Sequence, residues 1–409
     1  LIAVSAFTKS AQFPFHFWLP EAMAAATPVS AFLHAAAVVK AGVYLLIRFS
    51  TIFHDVAAWN WLLIVAGMGT AVMSAIFAVQ KTDLKKLTAY STVSHLGWIV
   101  ATIGVGTPFA IAAALVHTLA HALFKSSIFM LIGVIDHEAG SRDIRRLGVL
   151  WNKMPWTFGS MLIGAASMAA VPPLFGFVSK EGMLTAFEDA PIGSAGQIVL
   201  LIVAGIGAFF TFTYSAKIVF GAFFDGPRDM SSTHEAPVRL WLPAALPGVM
   251  SVPLVFFMGV LDGPLDRVVA AIGMEGHSHL ALWHGLNVPF VISVLVLIAG
   301  IVGVLFRRSL WSAMEEREFL PRTGNEVLKW IQEVCTKFGR FVGRMSDTHN
   351  PTLFILPIVF LIILLAGATL VSDGIDGVAL NPRVEGLDNP WDLLPLGIVA
   401  LSMFGLVRT

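Results

Sequence analysis

Along the chain the apolar residues gather into long blocks separated by short polar connections. At ~20 residues per bilayer-spanning helix, the blocks fall at 1–19, 28–49, 60–80, 84–105, 108–135, 155–188, 196–224, 239–260, 284–306, 352–371 and 392–407. The pattern predicts an all-α polytopic membrane protein with no soluble domain. Two blocks are interrupted, the first near residues 12–14 and the 155–188 block at Val171-Pro172-Pro173. Proline removes a helical donor and clashes with the preceding turn. Broken backbone at membrane depth is tolerated only inside protein or beside a water cavity. Two interrupted helices in one chain suggest corresponding parts of an internal repeat, and transporters place ion sites at such breaks. Residues 324–345 differ: Trp330, Ile331, Val334, Phe338, Phe341 and Val342 share one helical face against Glu333, Lys337 and Arg340. This segment is too amphipathic to span and is expected to lie along the membrane interface.

Composition sharpens that picture. The 409 residues are 56% hydrophobic and 13% charged, with a mean hydropathy of +0.80, whereas soluble domains carry about 25% charged residues. Net charge is zero, with no basic or acidic tail that would point to nucleic acid. The single cysteine, Cys335, excludes an internal disulfide and a cysteine-rich metal site. The charged connections alternate. One set holds Lys81, Lys85, Lys86, Arg142, Arg145, Arg146, Lys153, Arg228 and Arg239, followed by the cluster from Arg307 to Arg344 and by Arg408, while the opposite set offers only Arg48, Arg267 and Arg383. By the positive-inside rule the first set is expected to be cytoplasmic. The chain opens inside an apolar block without Met, charged n-region or cleavage site, so it is expected to be N-terminally incomplete. The end, LSMFGLVRT, also stops at a helix edge, so more chain is expected to follow.

Against this apolar background the ionisable residues stand out, because such groups inside a membrane are costly and face a bundle interior or a wet cavity. His117, His121 and Lys125 recur every four residues in LVHTLAHALFKSSIF and form one helical stripe. Lys85, Thr88, Ser91, Thr92 and His95 form a second. Lys9 and Lys180 sit beside the two breaks, and Glu181 follows Lys180. His34 and Lys40, six residues apart, point in different directions and are free to join groups on other helices. Lys217 reads as a lysine snorkelling to the interface, with His16, Glu181 and Lys217 kept as additional candidates. The His117/His121 spacing also suits two metal ligands, but zinc needs a third protein ligand and none is apparent; no metal is expected. No phosphate-cradling glycine loop, activated nucleophile or cofactor motif is present, so neither a cofactor nor an enzyme acting alone is expected. What remains is a hydrated proton path: histidine titrates near neutrality and desolvation lets a lysine release its proton. Acids are scarce, so carboxylate partners are expected from outside this sequence.

The stretch SAFTKSAQFPFHFWLPEAMAAATPVSAFLHAAAVVKAGVYLLIRF, followed by TDLKKLTAYSTVSHLGW, LVHTLAHALFKSSIFMLIG, VPPLFGFVSKEGML and TFTYSAKIVFGAFF, resembles the antiporter-like membrane subunits. These are shared by respiratory complex I, membrane hydrogenases and the Mrp multisubunit cation/proton antiporters. The resemblance implies a helix bundle of two inverted repeats with two broken helices, an amphipathic lateral helix and additional C-terminal spans. On this basis 1–49 would close the first repeat and 50–225 would form the second. Residues 226–306 would be further transmembrane helices, 307–350 the cytoplasmic-side lateral helix and 351–409 C-terminal spans. It also implies a proton pathway through Lys9, His34, Lys85, His95, His117, His121, Lys125 and Lys180, with the glutamate that partners Lys9 on a preceding helix. Lys40 and the tail beyond residue 225 are similar to the large A-subunit branch of the Mrp group. The implied function is proton translocation in a Na⁺ or K⁺/H⁺ antiporter, together with other membrane subunits, in a bacterial plasma membrane. The alternatives are a proton-pumping subunit of complex I or a membrane hydrogenase, and a structural scaffold.

Overall fold

The computed structural model describes residues 1–274, 285–315, 324–346, 355 and 358–364. It is helical, with no strands among the described residues and two isolated β-bridges in connecting loops. Most of the segment 352–371 and all of 392–407 lie outside the described residues. The chain forms two compact units, Leu1–Gly324 and Asn325–Thr409.

The first unit opens with α1 (Ile2–Lys9), an irregular turn, and the short α2 (Trp18–Glu21). Next, α3 (Thr27–Ala31), a π-turn over Phe32–Ala36 and α4 (Val38–Phe53) make one membrane-length element. α5 (Ala57–Gln80), α6 (Leu84–Val105) and α7 (Pro108–Ala139) follow in antiparallel succession. α8 (Pro155–Met168) and α9 (Phe175–Glu188) flank the second break, and α10 (Gly193–Phe223) is unbroken. α11 (Val238–Val249), α12 (Ser251–Phe256), α13 (Asp262–Ala271), α14 (Val288–Leu305) and α15 (Arg307–Glu315) complete the unit. Six elements among the described residues are long and apolar enough to cross a membrane. α6 is not one of them although it is the most completely buried, because its interior carries the polar stripe.

Local signals explain where these helices begin and end. Asp83 caps α6 by accepting from Lys86 N at 3.0 Å, and Thr107 caps α7 by accepting from Ala110 N at 3.2 Å. Gly106 and Gly140 end the two helices in the left-handed conformation. α5 and α6 touch backbone to backbone: a Cβ on Gly67 would lie 2.5 Å from Ala101 N, and one on Gly97 2.5 Å from Gly67 O. Small residues at such spacing let membrane helices approach closely.

The two breaks share one design. Ala11 (φ 50) and Ala170 (φ 61) adopt the left-handed conformation, each three residues before a proline, Pro14 and Pro173. Gln12 N bonds Phe7 O and Val171 N bonds Ala166 O, both at 2.9 Å and both reaching five residues back. Freed donors find partners on neighbouring segments, as a break at membrane depth requires: Phe13 N bonds Thr70 Oγ1 at 3.0 Å and Gly176 N bonds Ser167 Oγ at 3.2 Å. The charged loops gather at one end. Leu84 N bonds Arg142 O at 3.0 Å, Arg228 N bonds Leu147 O at 3.1 Å, and Arg142 pairs with Asp83 at 2.7 Å.

Of the second unit, α16 (Gly324–Ser346) is a continuous helix whose Trp330, Ile331, Val334, Phe338, Phe341 and Val342 are exposed.

Candidate proton-relay site

The site is built on α6 and α7, whose polar stripes face each other in the middle of the first unit. Lys85, His95, His117, His121 and Lys125 are all buried. Packing supplies hydroxyls and carbonyls where water would otherwise solvate these groups. Lys125 Nζ donates to Ser91 Oγ and, at 3.4 Å, to Thr88 O. Lys85 Nζ donates to Ala25 O at 2.6 Å, in the turn that precedes α3.

One turn along α7, His121 Nδ1 meets Lys40 Nζ at 2.7 Å. The π-turn over Phe32–Ala36, followed by the irregular Ala37 (φ −117, ψ −83), separates the directions of His34 and Lys40. Lys40 therefore reaches α7, while His34 lies against the Phe129 ring at 4.5 Å with neither ring nitrogen bonded to a described residue.

Histidines continue the file. The His95 ring packs at 5.6 Å from His121 and 5.2 Å from His117, and His95 Nδ1 approaches His117 Nε2 at 3.0 Å. His117 Nδ1 meets Ser179 Oγ at 3.0 Å, and that hydroxyl donates to Gly176 O at 3.0 Å. A hydroxyl already donating to Gly176 accepts from His117 Nδ1–H, which leaves His117 Nε2 to accept from His95 Nδ1–H. One set of tautomers thus satisfies the whole chain of bonds. Ser179 precedes Lys180, whose Nζ lies over the Trp98 ring at 5.0 Å. A Cβ on Gly176 would collide with Ser167 O, so the second break brings α8 and α9 closer than any larger residue permits. Lys180 Nζ and both carboxylate oxygens of Glu181 are buried without a hydrogen bond to a described residue.

The remaining candidates stand apart. Lys9 ends α1 with its side chain exposed. His16 is buried beside the first break, stacked on Phe13 at 5.9 Å and on Phe77 at 6.3 Å. Lys217 does not snorkel: it is fully buried, donates to Val79 O at 2.7 Å, pairs with Glu315 of α15, and lies 5.7 Å from the Trp311 ring centre. Sequence reasoning also passed over Ser179, Trp98 and Glu315. It missed Tyr214 as well, which is buried with its ring 6.4 Å from His95. A buried tyrosine or tryptophan in an apolar block carries no periodic signal that separates it from ordinary core. Among the described residues no group of three or more metal-ligating side chains converges.

A bundle of long apolar helices with two interruptions and a buried file of lysines and histidines defines a polytopic membrane protein with an ionisable interior. Residues 1–211 match the family described as NADH:quinone oxidoreductase/Mrp antiporter, transmembrane. The chain belongs to that family. It is 44% identical over 406 residues to the A/B-subunit of a probable K⁺/H⁺ antiporter of Rhizobium meliloti, covering 96% of this chain and 40% of the relative. It is 40% identical over 333 residues to the A-subunit of a Na⁺/H⁺ antiporter of Bacillus subtilis, covering 75% of this chain and 41% of the relative. Among solved structures, the Mrp complex from Dietzia sp. DQ12-45-1b contains a chain similar at a TM-score of 0.78 and 43% identity, covering 98% of this chain and 43% of that one. The chain thus spans less than half the length of these three relatives.

Proposed function

We propose that this chain is the A-type, proton-translocating part of a multisubunit monovalent cation/proton antiporter, and that it works in a bacterial plasma membrane with its basic loops in the cytoplasm. Protons would enter at Lys85, pass along the Thr88–Ser91 face of α6 to Lys125, and continue through Lys40, His121, His95, His117 and Ser179 to Lys180 and Glu181. The observation that carries this reading is the file of buried bases, in which Lys40–His121, His95–His117 and His117–Ser179 all stand within hydrogen-bond distance. A scaffold has no reason to bury so many desolvation-costly groups.

Each lysine acts as a proton store: as an ammonium it donates, and as an amine it accepts. The histidines pass protons between their two nitrogens, and a bridging water suits His95 Nε2 and His121 Nε2, which have no hydrogen-bond partner among the described residues. Lys9, His16 and His34 stand apart from this file and are assigned to a first branch that would feed it. The repeated break design and the A-subunit relatives support the same scheme, in which 1–49 would close a first repeat and 50–225 would form a second. The buried bases make protons the ion assigned to this chain.

The test uses the intact complex in inverted vesicles, with cation exchange driven by an imposed ΔpH. Lys125→Ala is expected to lower exchange to about a hundredth of wild type, the scale of a lost positioned proton-transfer group. Exchange at the wild-type rate with correctly assembled complex would overturn the route.

A further inference from the structure

Between α8, α10 and α14 the membrane-facing surface holds a groove of about 450 Å³. Its walls run from Phe158, Phe224 and Leu305 at the basic-loop end to Val171, Phe212 and Ile301 at the level of the second break. At 1.5 Å per residue the α8 wall from Phe158 to Ala169 is about 16 Å deep, the depth of one leaflet in a hydrocarbon core of about 30 Å. The one hydroxyl in the lining, Ser215, is already donating to Thr211 O at 2.7 Å. The occupant is therefore apolar along its whole length.

Its shallow end is crowned by charge. Arg307 donates to both carboxylate oxygens of Asp225, at 2.7 and 2.9 Å, and lies over the Phe220 ring at 4.7 Å. That leaves Arg308, 83% exposed and 3.6 Å from the same carboxylate, as the cation facing outward. Trp151 stacks on Phe224 beside it and is half exposed, as tryptophans at a headgroup level are. A second groove, of about 530 Å³ between α10 and α14, has no charged residue in its walls. Neither lining holds a charged residue, and what distinguishes the first groove is Arg307 and Arg308 just beyond its Phe220, Phe224 and Leu305 end.

We propose that the groove between α8, α10 and α14 binds one acyl chain of an anionic phospholipid, with the phosphate held at Arg308. The charge at its end favours a lipid with an anionic headgroup over an apolar transmembrane helix. The acyl tail ends against residues 169–171, the turn that sets the position of Ser179 and Lys180.

The purified complex, delipidated and reconstituted, would be exposed to phosphatidylglycerol bearing a mid-chain diazirine, with a phosphatidylcholine of the same tail in parallel. Crosslinked peptides are expected within 158–171 and 212–224, and the anionic probe is expected to dominate. Arg308→Glu should lower labelling by phosphatidylglycerol about fivefold, the ~1 kcal/mol of one basic side chain at an anionic surface, and leave phosphatidylcholine unchanged. Arg308→Glu also sets a second carboxylate near Asp225, so Arg308→Gln, which removes the charge alone, is read beside it and is expected to lower phosphatidylglycerol labelling in the same direction. Equal labelling by the two lipids, labelling confined to other peptides, or no effect of Arg308→Glu would overturn the proposal. So would efficient disulfide formation, in a Cys335→Ala background, between Ala166→Cys and a cysteine placed in 352–371, because the chain itself would then fill the groove.

Discussion

At the residue scale, one substitution separates charge from the proposed proton exchange. Lys125→Arg preserves a cation beside Ser91 and Thr88 but cannot deprotonate within a protein. If Lys125 only supplies a field, the arginine variant keeps its function. As a proton store it is expected to lose ΔpH-driven exchange to about the same hundredfold extent as Lys125→Ala. The spacing of this site was legible in the sequence, because residues four apart must share a helix face, and the structure indeed buries His117, His121 and Lys125 together. The partners were not legible. Ser179 lies 62 positions from His117 and Glu315 98 from Lys217, and no local period encodes which distant segment packs where. That is why Lys217 read as a snorkelling lysine and proved to be a buried ion-pair member. The pair is expected to behave as a unit. Glu315→Gln removes the only charge partner the described residues give the Lys217 ammonium, leaving it Val79 O, an amide oxygen and the Trp311 ring, and should lower stability in detergent by about 2 kcal/mol, the buried-pair value discounted for Glu315 being one-third exposed. The double variant Lys217→Met/Glu315→Gln should recover most of that loss. Additive losses in the unfolding midpoint would show that the two side chains act independently.

At the element scale, the hydropathy blocks gave the helices, and the prolines marked both interruptions. What they could not give was how closely the helices pack, since that depends on which glycines meet. Gly67, Gly69 and Gly97 look alike in an apolar block, yet of these three only Gly69 has nothing within 4 Å of an added Cβ. Gly97→Ala would press its methyl group onto Gly67 O and Ala71 N, forcing α5 from α6, and is expected to cost about 1–3 kcal/mol as overpacking does. Gly69→Ala, on open surface within α5, is expected to be neutral or stabilising by up to about 1 kcal/mol, the helix-propensity gain over glycine. Thermal unfolding of the two variants side by side decides the matter; equal effects would mean that α5–α6 contact does not set the spacing. The loop after α7 offers a pH readout as well. The side-chain hydrogen bond from Arg145 holds the Asp143 carboxyl below its ordinary value, against the opposing effect of burial. A carboxylate depressed in the folded state stabilises above its ordinary pKa of about 3.9 and loses that contribution as pH falls through the lowered value. The protection of the Arg145 amide against exchange, relative to its intrinsic rate at each pH, should therefore fall only below about pH 4, since its N–H donates to Asp143 at 3.0 Å. In Asp143→Asn that acid-dependent step should vanish.

At the scale of the whole molecule, the arrangement has two distinct ends. The connections 81–83, 140–154 and 224–237 are joined by the Asp83–Asp143 and Gly148–Arg228 bridges, and they carry the dense basic residues. At the other end His54, Asn60, Gly106, Pro191 and Met274 line a cavity of about 560 Å³, and the nearby cations are sparse. Because α5, α6 and α7 separate Asp55 from Lys153, an odd number of crossings puts these two exposed residues on opposite faces. On the proposed orientation the positive-inside rule predicts Lys153 on the cytoplasmic face, and with it the mouth of the proposed route at Lys85. The lone Cys335 makes this measurable, since Cys335→Ala leaves a cysteine-free chain. In that background an impermeant maleimide should label Lys153→Cys only in inverted vesicles and Asp55→Cys only in right-side-out ones. Labelling of both from one face would break the assignment of three crossings. A clean reversal would keep the crossings but turn the proton route around, so that Lys85 opened to the outside and Lys180 and Glu181 lay nearer the cytoplasm.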